Sequence, residues 1–481
     1  MTADQSEPQT PSAWVLLSNA KFEIGGEDQV STLRCKYPQE PSEEEQRDRF
    51  KEDWRKFVAD VQIRVGTLLK IDTVSFLLGA GASKECGGVL IRKIPLEVER
   101  TLLKDGVLGT TNPRVRSWLR AFYLAVARAK GGATGIPADR QQILARHSAA
   151  TSGQPEELPV NLETLLSLLH RWRSALPRDG GRLRLDGSPP IDLRSEDIDE
   201  CLRRTTRALA DRCRLPADSA SPNGFRAYKD LVRKALTRPL NLKRTNFFTL
   251  NYDTLIEQAA DAEGVVLIDG FVGSVRRIFR PESYDQDLYF PAETTEGRVH
   301  RLDRVAHLYK LHGSITWRAE EPDWDNPYGV VSNADGPTDK QPVLIYPTPA
   351  KFGETLGMPY AELFRRFAAA VVRPQSTLFV LGYGFADEHV CAIVRQALAI
   401  PSFTLVIADP APKSDFVQRL QEARDRRVWI FSGNTFGTFT GFVDNVLPDL
   451  RDEEVRRKVM ATYRGLRPAA AEADVEEGAD G

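Results

Sequence analysis

Cysteine is scarce. The 481 residues hold five, Cys35, Cys86, Cys201, Cys213 and Cys391, and no two stand as a C-x-x-C pair. That spacing indicates neither a zinc ribbon nor a disulfide framework, and no zinc or other metal is expected. No apolar run reaches the roughly 20 residues a membrane helix needs. The opening MTADQSEPQTPSAW has no charged segment followed by an apolar core, so it does not read as a secretory signal. Charge of one sign is also missing: 65 Lys and Arg against 67 Asp and Glu give a formal charge of -2. This balance argues against a dedicated nucleic-acid or membrane-surface protein, and direct nucleic-acid binding is not indicated. No G-x-x-x-x-G-K-[ST] run is present, which disfavours a P-loop NTPase. What remains is a reduced, cytoplasmic, metal-free globular chain, 41% hydrophobic and long enough for two or three structural units.

The most informative stretch is Thr73 to Gly88, TVSFLLGAGASKECGG. Its apolar run, Val74 to Leu78, has the length and β-branched start of a buried strand. It runs into Gly79-Ala80-Gly81-Ala82-Ser83, where glycines let the backbone turn tightly or approach a ligand. A helix starting near Ser83 would aim free N–H groups at an anion in that turn. The dinucleotide fingerprint G-x-G-x-x-G is incomplete, because Lys84 stands in the third glycine position. By itself the turn reads equally as a phosphate cradle or as a plain strand-to-helix joint.

From Thr245 onward short apolar strands alternate with helical stretches. Strands are expected at 246–250, 265–268, 306–311, 343–346, 377–381, 403–408 and 428–431, with helices at 252–262, 360–373, 387–399, 413–424 and 435–446. The alternation predicts an α/β fold, a Rossmann-like doubly wound, mainly parallel sheet. A large helical insertion occupies about 95–240. Residues 1–70 form an N-terminal extension with a hairpin (Trp14 to Leu17 with Lys21 to Ile24). An amphipathic helix then runs to about Leu69, started by a Ser42–Glu45 capping box. Trp54, Phe57, Val58, Val61 and Val65 share one face of that helix. The catalytic domain would span 71–450, and 451–481 a C-terminal helix and an acidic disordered tail. Residues 319–342, rich in Pro, Asp, Asn and Gly, read as a mobile surface loop.

Polar residues follow several of these strands, where ligands bind in a doubly wound sheet. They are Gly79 to Ser83, then Thr249-Leu250-Asn251-Tyr252-Asp253, then Leu311-His312-Gly313-Ser314, then Gly382-Tyr383-Gly384-Phe385, and Asp409. GAGAS, TLNYD, LHGS and LGYGFADEH, in that order, resemble the sirtuin superfamily over roughly 73–450. Two features depart from the protein-deacylating members: the zinc ribbon is missing, and Leu250 replaces the glutamine before the motif asparagine. The set is similar instead to bacterial sirtuin-like NAD+ hydrolases of anti-phage defence. That resemblance implies NAD+ as substrate, a homo-oligomer, and a separate HerA-type ATPase as partner.

The chemistry suits the residues. Breaking the nicotinamide–ribose bond builds oxocarbenium-like charge on the sugar, as in glycoside hydrolysis. The leaving group is neutral, so a strong general acid is unnecessary. Asn251 can donate to and accept from a ribose hydroxyl and a water. His312 titrates near neutrality and can take a proton. Gly79, Ala80, Gly81 and Ser83 would hold the pyrophosphate, with Gly382 and Gly384 close to the phosphates or ribose. Asp253 would accept from the carboxamide, brace the loop or simply cap the following helix, and Asp409 would accept from the adenosine ribose. Cys86 has no adjacent base and is not expected to act as a nucleophile. Two other classes stay open: an NAD+ or ADP-ribose sensor without turnover, and an ADP-ribosyltransferase or deacylase.

Overall fold

The computed structural model describes residues 12–452, 457–459, 461 and 462, apart from 91–92, 110–112, 130–139, 153–157, 159, 161, 178–179, 186–190, 217–221, 292–298, 334–341 and 345–358. The main sheet has nine strands, numbered here along the chain: β1 (Lys21–Ile24), β2 (Glu27–Asp28), β3 (Thr73–Leu78), β4 (Asn246–Thr249), β5 (Val266–Ile268), β6 (Val305–Lys310), β7 (Ser376–Leu381), β8 (Phe403–Ala408) and β9 (Val428–Ser432). Their order across the sheet is β2-β1-β9-β8-β7-β3-β4-β6-β5. Every pair from β9 to β5 is parallel; β1 and β2 add an antiparallel edge. The expected mainly parallel α/β sheet is therefore present.

Strands β3 and β7 are buried at every position, as a sheet covered on both faces requires. Side chains alternate between the faces. Phe76, Phe247 and Leu308 meet the helices Glu44–Leu68, Leu255–Glu263 and Phe439–Asn445. Leu77, Phe248 and Tyr309 meet Tyr360–Val371, Glu388–Leu398 and Asp415–Glu422. From β3 the chain moves out through β4 to β5 and β6, then returns to β7 on the other side of β3. The topological switch point lies between β3 and β7, where such sheets place their crevice.

Helices Ile94–Gly106, Ser117–Ala129, Leu162–Ser174 and Ser195–Cys213 gather round a third apolar cluster of their own. The next helix, Pro222–Ala235, packs back onto the main sheet through Ala227, Tyr228, Leu231 and Val232.

Several sequence expectations are corrected. Lys84–Cys86 form only one 3-10 turn, ended by Gly87 at φ 79°, and the next α-helix among the described residues is Ile94–Gly106. Residues 319–342 are not simply a loop. Gly313–Ala319, Val330–Ser332 and Pro342–Leu344 join Phe271–Val272 and Arg277–Phe279 in a second, antiparallel sheet of five strands. The strand expected at 343–346 belongs there rather than to the parallel sheet; residues 345 and 346 lie outside the described set. Trp14 to Leu17 are helical, and Lys21–Ile24 pairs with Glu27–Asp28 instead. The long helix begins at Glu44 after Glu43, with no side-chain cap, so the Ser42–Glu45 capping box does not form. Its expected apolar face does pack inward, with Trp54, Val61 and Val65 buried and Phe57 and Val58 against them. The acidic tail falls outside the described residues.

Candidate active site

One register row brings the candidate residues together. Leu78, Thr249, Lys310, Leu381, Ala408 and Phe431 are aligned across six neighbouring parallel strands. Five of the six loops that leave this row carry the candidate residues: Gly79 to Ser83, Asn251 to Asp253, His312, Gly382 to Phe385, and Asp409. Asn251 and His312 each stand two residues beyond paired strand ends, about 4.8 Å apart as neighbouring strands are.

At the switch point the two glycine loops touch each other. Gly81 N–H donates to the Gly382 carbonyl at 2.8 Å, and Gly79 N–H to the Leu381 carbonyl at 3.0 Å. A Cβ on Gly79 would stand 2.7 Å from Gly382 O, and one on Gly382, at φ 64°, 2.3 Å from Ala82 N. Close backbone packing thus accounts for these glycines, and Gly79 and Gly81 spend their N–H groups inside the protein. Ala80 is half-buried at the rim. Gly384 differs: it is exposed, and a Cβ there would meet nothing within 4 Å. Its neighbour Phe385 holds a left-handed φ of 54° and stacks on Phe416 at 4.8 Å, a strained conformation for a non-glycine residue.

Ser83 is the hub of a buried network. Its Oγ donates to Asp253 Oδ2 at 2.6 Å, accepts from Asn251 Nδ2 at 2.9 Å, and lies 3.0 Å from the Tyr228 hydroxyl. A hydroxyl has one proton and two lone pairs. With the proton given to a carboxylate, Tyr228 must be the donor in the last contact. Burial and the Asp253 carboxylate hold the Tyr228 phenol well above its ordinary value, so it keeps that proton. Asn251 Nδ2 also donates to the Gly79 carbonyl at 2.9 Å. A carbonyl can only accept, so this bond fixes the amide orientation and turns Asn251 Oδ1 away from the turn. Asp253 Oδ1 accepts from Leu255 N–H at 3.2 Å. Asp253 therefore braces the loop just ahead of the helix Leu255–Glu263, whose N-cap is Thr254 with no side-chain cap, so the helix-cap role considered for Asp253 is not the one seen.

His312 is 5% exposed, and its Nε2 is 3.1 Å from Asp387 Oδ2. A carboxylate accepts, so in this contact Nε2 is the donor and carries the proton. Asp387 is held in turn: its N–H donates to the Tyr383 hydroxyl at 2.8 Å, and its Oδ1 caps the helix Glu388–Leu398 through His389 N–H at 2.9 Å. Sequence reasoning missed Asp387 and Tyr228. Asp387 lay inside the quoted LGYGFADEH segment, four residues after Tyr383; Tyr228 had no local signal.

Asp409 is half-buried at the end of β8, with Ala411 N–H 2.9 Å from its Oδ1; burial raises its carboxyl above the usual range. Burial and two nearby carboxylates push the Cys86 thiol up to about 12, in keeping with an inert cysteine. His300 stacks on Phe290, and His307 sits inside β6, both away from the loop row. Tyr252 packs on the helical cluster. Among the described residues no group of three or more His, Cys, Asp or Glu is arranged to hold a metal, and no helix is long and apolar enough to cross a membrane.

No curated protein matches the chain. Among solved structures, a Sir2 homologue in complex with NAD is 13% identical, covering 82% of this chain and 94% of that chain, with a TM-score of 0.33. A mutant Sir2 homologue in complex with ADP-ribose is 12% identical, covering 84% and 97%, with a TM-score of 0.32. At that likeness neither adds to the sheet order and register described above. Residues 245–430, which hold Asn251, Asp253, His312, Asp387 and Asp409, match the model of the SIR2-like domain.

Proposed function

We propose that the chain hydrolyses NAD+ at the nicotinamide–ribose bond, giving nicotinamide and ADP-ribose. The observation that carries this reading is the pairing of a fixed Asn251, its Oδ1 turned away from the turn, with a His312–Asp387 dyad on the adjacent strand end. In the reaction the C1′–N bond breaks and its electron pair stays on nicotinamide. Water adds to C1′ as the positive charge on the sugar collapses. Asn251 Oδ1 holds the water or a ribose hydroxyl, and His312 Nδ1 takes the proton that the water loses, with Asp387 stabilising the resulting imidazolium. The half-buried Ala80 of the glycine turn, and Gly384 with its open approach, would face the pyrophosphate, whereas the Ser83 hydroxyl, expected there from the sequence, is spent inside the protein. The motif resemblance alone extends the reading to NAD+ depletion in anti-phage defence by a cytoplasmic homo-oligomer working with a HerA-type ATPase.

The test is nicotinamide release from NAD+ by the purified full chain, followed by chromatography. Asn251→Ala and His312→Ala should each lose about 10²-fold or more, the range a positioned acid–base group supplies. NAD+ bound without any release would point to a sensor. Undiminished release by both variants would place the chemistry elsewhere.

A further inference from the structure

The loop carrying Asn251 and the segment carrying His312 are tied together at three points. Leu311 N–H donates to the Thr249 carbonyl at 2.9 Å, and Ile315 N–H to the Tyr252 carbonyl at 3.1 Å. The third tie is the Lys310 ammonium, which donates to the Asp253 carbonyl. Two of these are backbone bonds that almost any sequence could make. Only the third depends on a side chain.

That side chain is costly where it is. Lys310 is 3% exposed. Its charge is offset by Glu257 on the helix Leu255–Glu263, Nζ to Oε1 at 2.8 Å. The compensation is incomplete, because Glu257 Oε2 is buried with no hydrogen-bond partner. Burial also raises the Glu257 carboxyl, against the pull of Lys310. An apolar residue pair of similar volume would fill the space with a smaller desolvation penalty. What the lysine adds is a charged donor on a loop carbonyl two residues from Asn251, reaching up from a position two residues before His312.

We propose that Lys310 is a positioning residue: its ammonium clamps the Asp253 carbonyl and so holds Asn251 in fixed register with His312. This rests on the hydrolase reading above. A merely structural lysine would lower stability and leave the chemistry of the folded fraction intact. A positioning lysine lowers kcat, and does so only while Asn251 is there to be positioned. A displacement of about 1 Å is enough for losses on the order of 10²-fold.

The experiment is a double-mutant cycle in the full chain. Lys310→Met is combined with Glu257→Gln, so that no carboxylate is left buried alone, in the wild-type and Asn251→Ala backgrounds. Nicotinamide release is measured alongside the thermal midpoint. The expected result is a 10- to 100-fold fall in kcat with KM within threefold, shrinking to under threefold in the Asn251→Ala background. Should the pair fail to fold, Lys310→Arg keeps the charge but displaces the donor, and the same cycle is run on it. A kcat within twofold of wild type, or equal losses in both backgrounds, would overturn the proposal. Failure of the hydrolase reading looks different: wild type releases no nicotinamide. The cycle is then read on NAD+ affinity by calorimetry, where additive losses refute the clamp and non-additive losses retain it.

Discussion

Ser83→Ala removes one oxygen and should destabilise the fold far more than its size suggests. The Ser83 hydroxyl is saturated, giving its proton to Asp253 and accepting from Asn251 and Tyr228, all within 3.0 Å. The residue is 3% exposed, and Tyr228 is 1% exposed. Alanine would strand a carboxylate oxygen, an amide proton and a phenol together. The bond to the charged Asp253 is worth about 1.5–3 kcal/mol and each neutral bond about 1 kcal/mol, so the expected cost is about 4 kcal/mol. That is a large part of the 5–15 kcal/mol typical of a folded domain. The assay is urea unfolding followed by tryptophan emission. Tyr228→Phe runs beside it and removes only one donor, for about 1 kcal/mol. Ser274→Ala, at an exposed turn, should stay within about 0.5 kcal/mol. A Ser83→Ala cost below 1 kcal/mol, no greater than that of Tyr228→Phe, would refute the saturated-hub reasoning.

The switch-point glycines should behave oppositely: Gly382→Ala puts a Cβ 2.3 Å from Ala82 N at φ 64° and should cost more than about 3 kcal/mol in urea unfolding, whereas Gly384→Ala meets nothing within 4 Å and should cost under about 0.5 kcal/mol. Asp387→Asn keeps an oxygen for the helix cap but can place an amide donor against His312 Nε2, so nicotinamide release should fall about 10²–10⁴-fold while the unfolding midpoint hardly moves. His307 should make stability acid-sensitive. Both its ring nitrogens are buried without a partner, and burial lowers its pKa from 6.5 to about 4. Between those values the unfolded chain binds more protons than the folded one, so stability falls as pH drops from 6.5 towards 4, by up to about 3 kcal/mol. His307→Phe should flatten that slope in urea titrations across this window.

The strand ends were legible because a buried parallel strand is a nearly continuous apolar run and its first polar residues mark where it stops. TVSFLL, NFFT and STLFVL all read this way, and the residues after them fall on one row. Four things were hidden. The absence of a helix after Ser83 was encoded in Gly87-Gly88 but overridden by the expectation of an anion cradle. The second sheet is built from strands as short as two residues, below the length at which alternation can be recognised. Tyr228 reaches Ser83 across 145 residues, and Asp387 reaches His312 across 75. Tyr228 follows from tertiary packing and leaves no local pattern, whereas Asp387 lies inside the quoted LGYGFADEH segment and only its pairing with His312 was hidden.

The position of Asp409 in the sheet limits what it can act on. It leaves β8, while Asn251 leaves β4, and β7 and β3 lie between them. Three strand spacings separate the two, about 14 Å. Asp409 is thus too far away to act on the bond that Asn251 and His312 would handle. Its half-buried carboxyl is raised by burial and, among the described residues, accepts a hydrogen bond from Ala411 N–H alone. In the proposed reading it serves the far sugar of a dinucleotide laid across the switch point. Asp253 and Asp387, nearer the chemistry, are each held as acceptors by Ser83 and His312. None of the three carboxylates is arranged as a proton donor to a leaving group. In the proposed reading that division suits cleavage with a neutral leaving group: the acid is dispensable, and the residues would hold the sugar and take one proton from water.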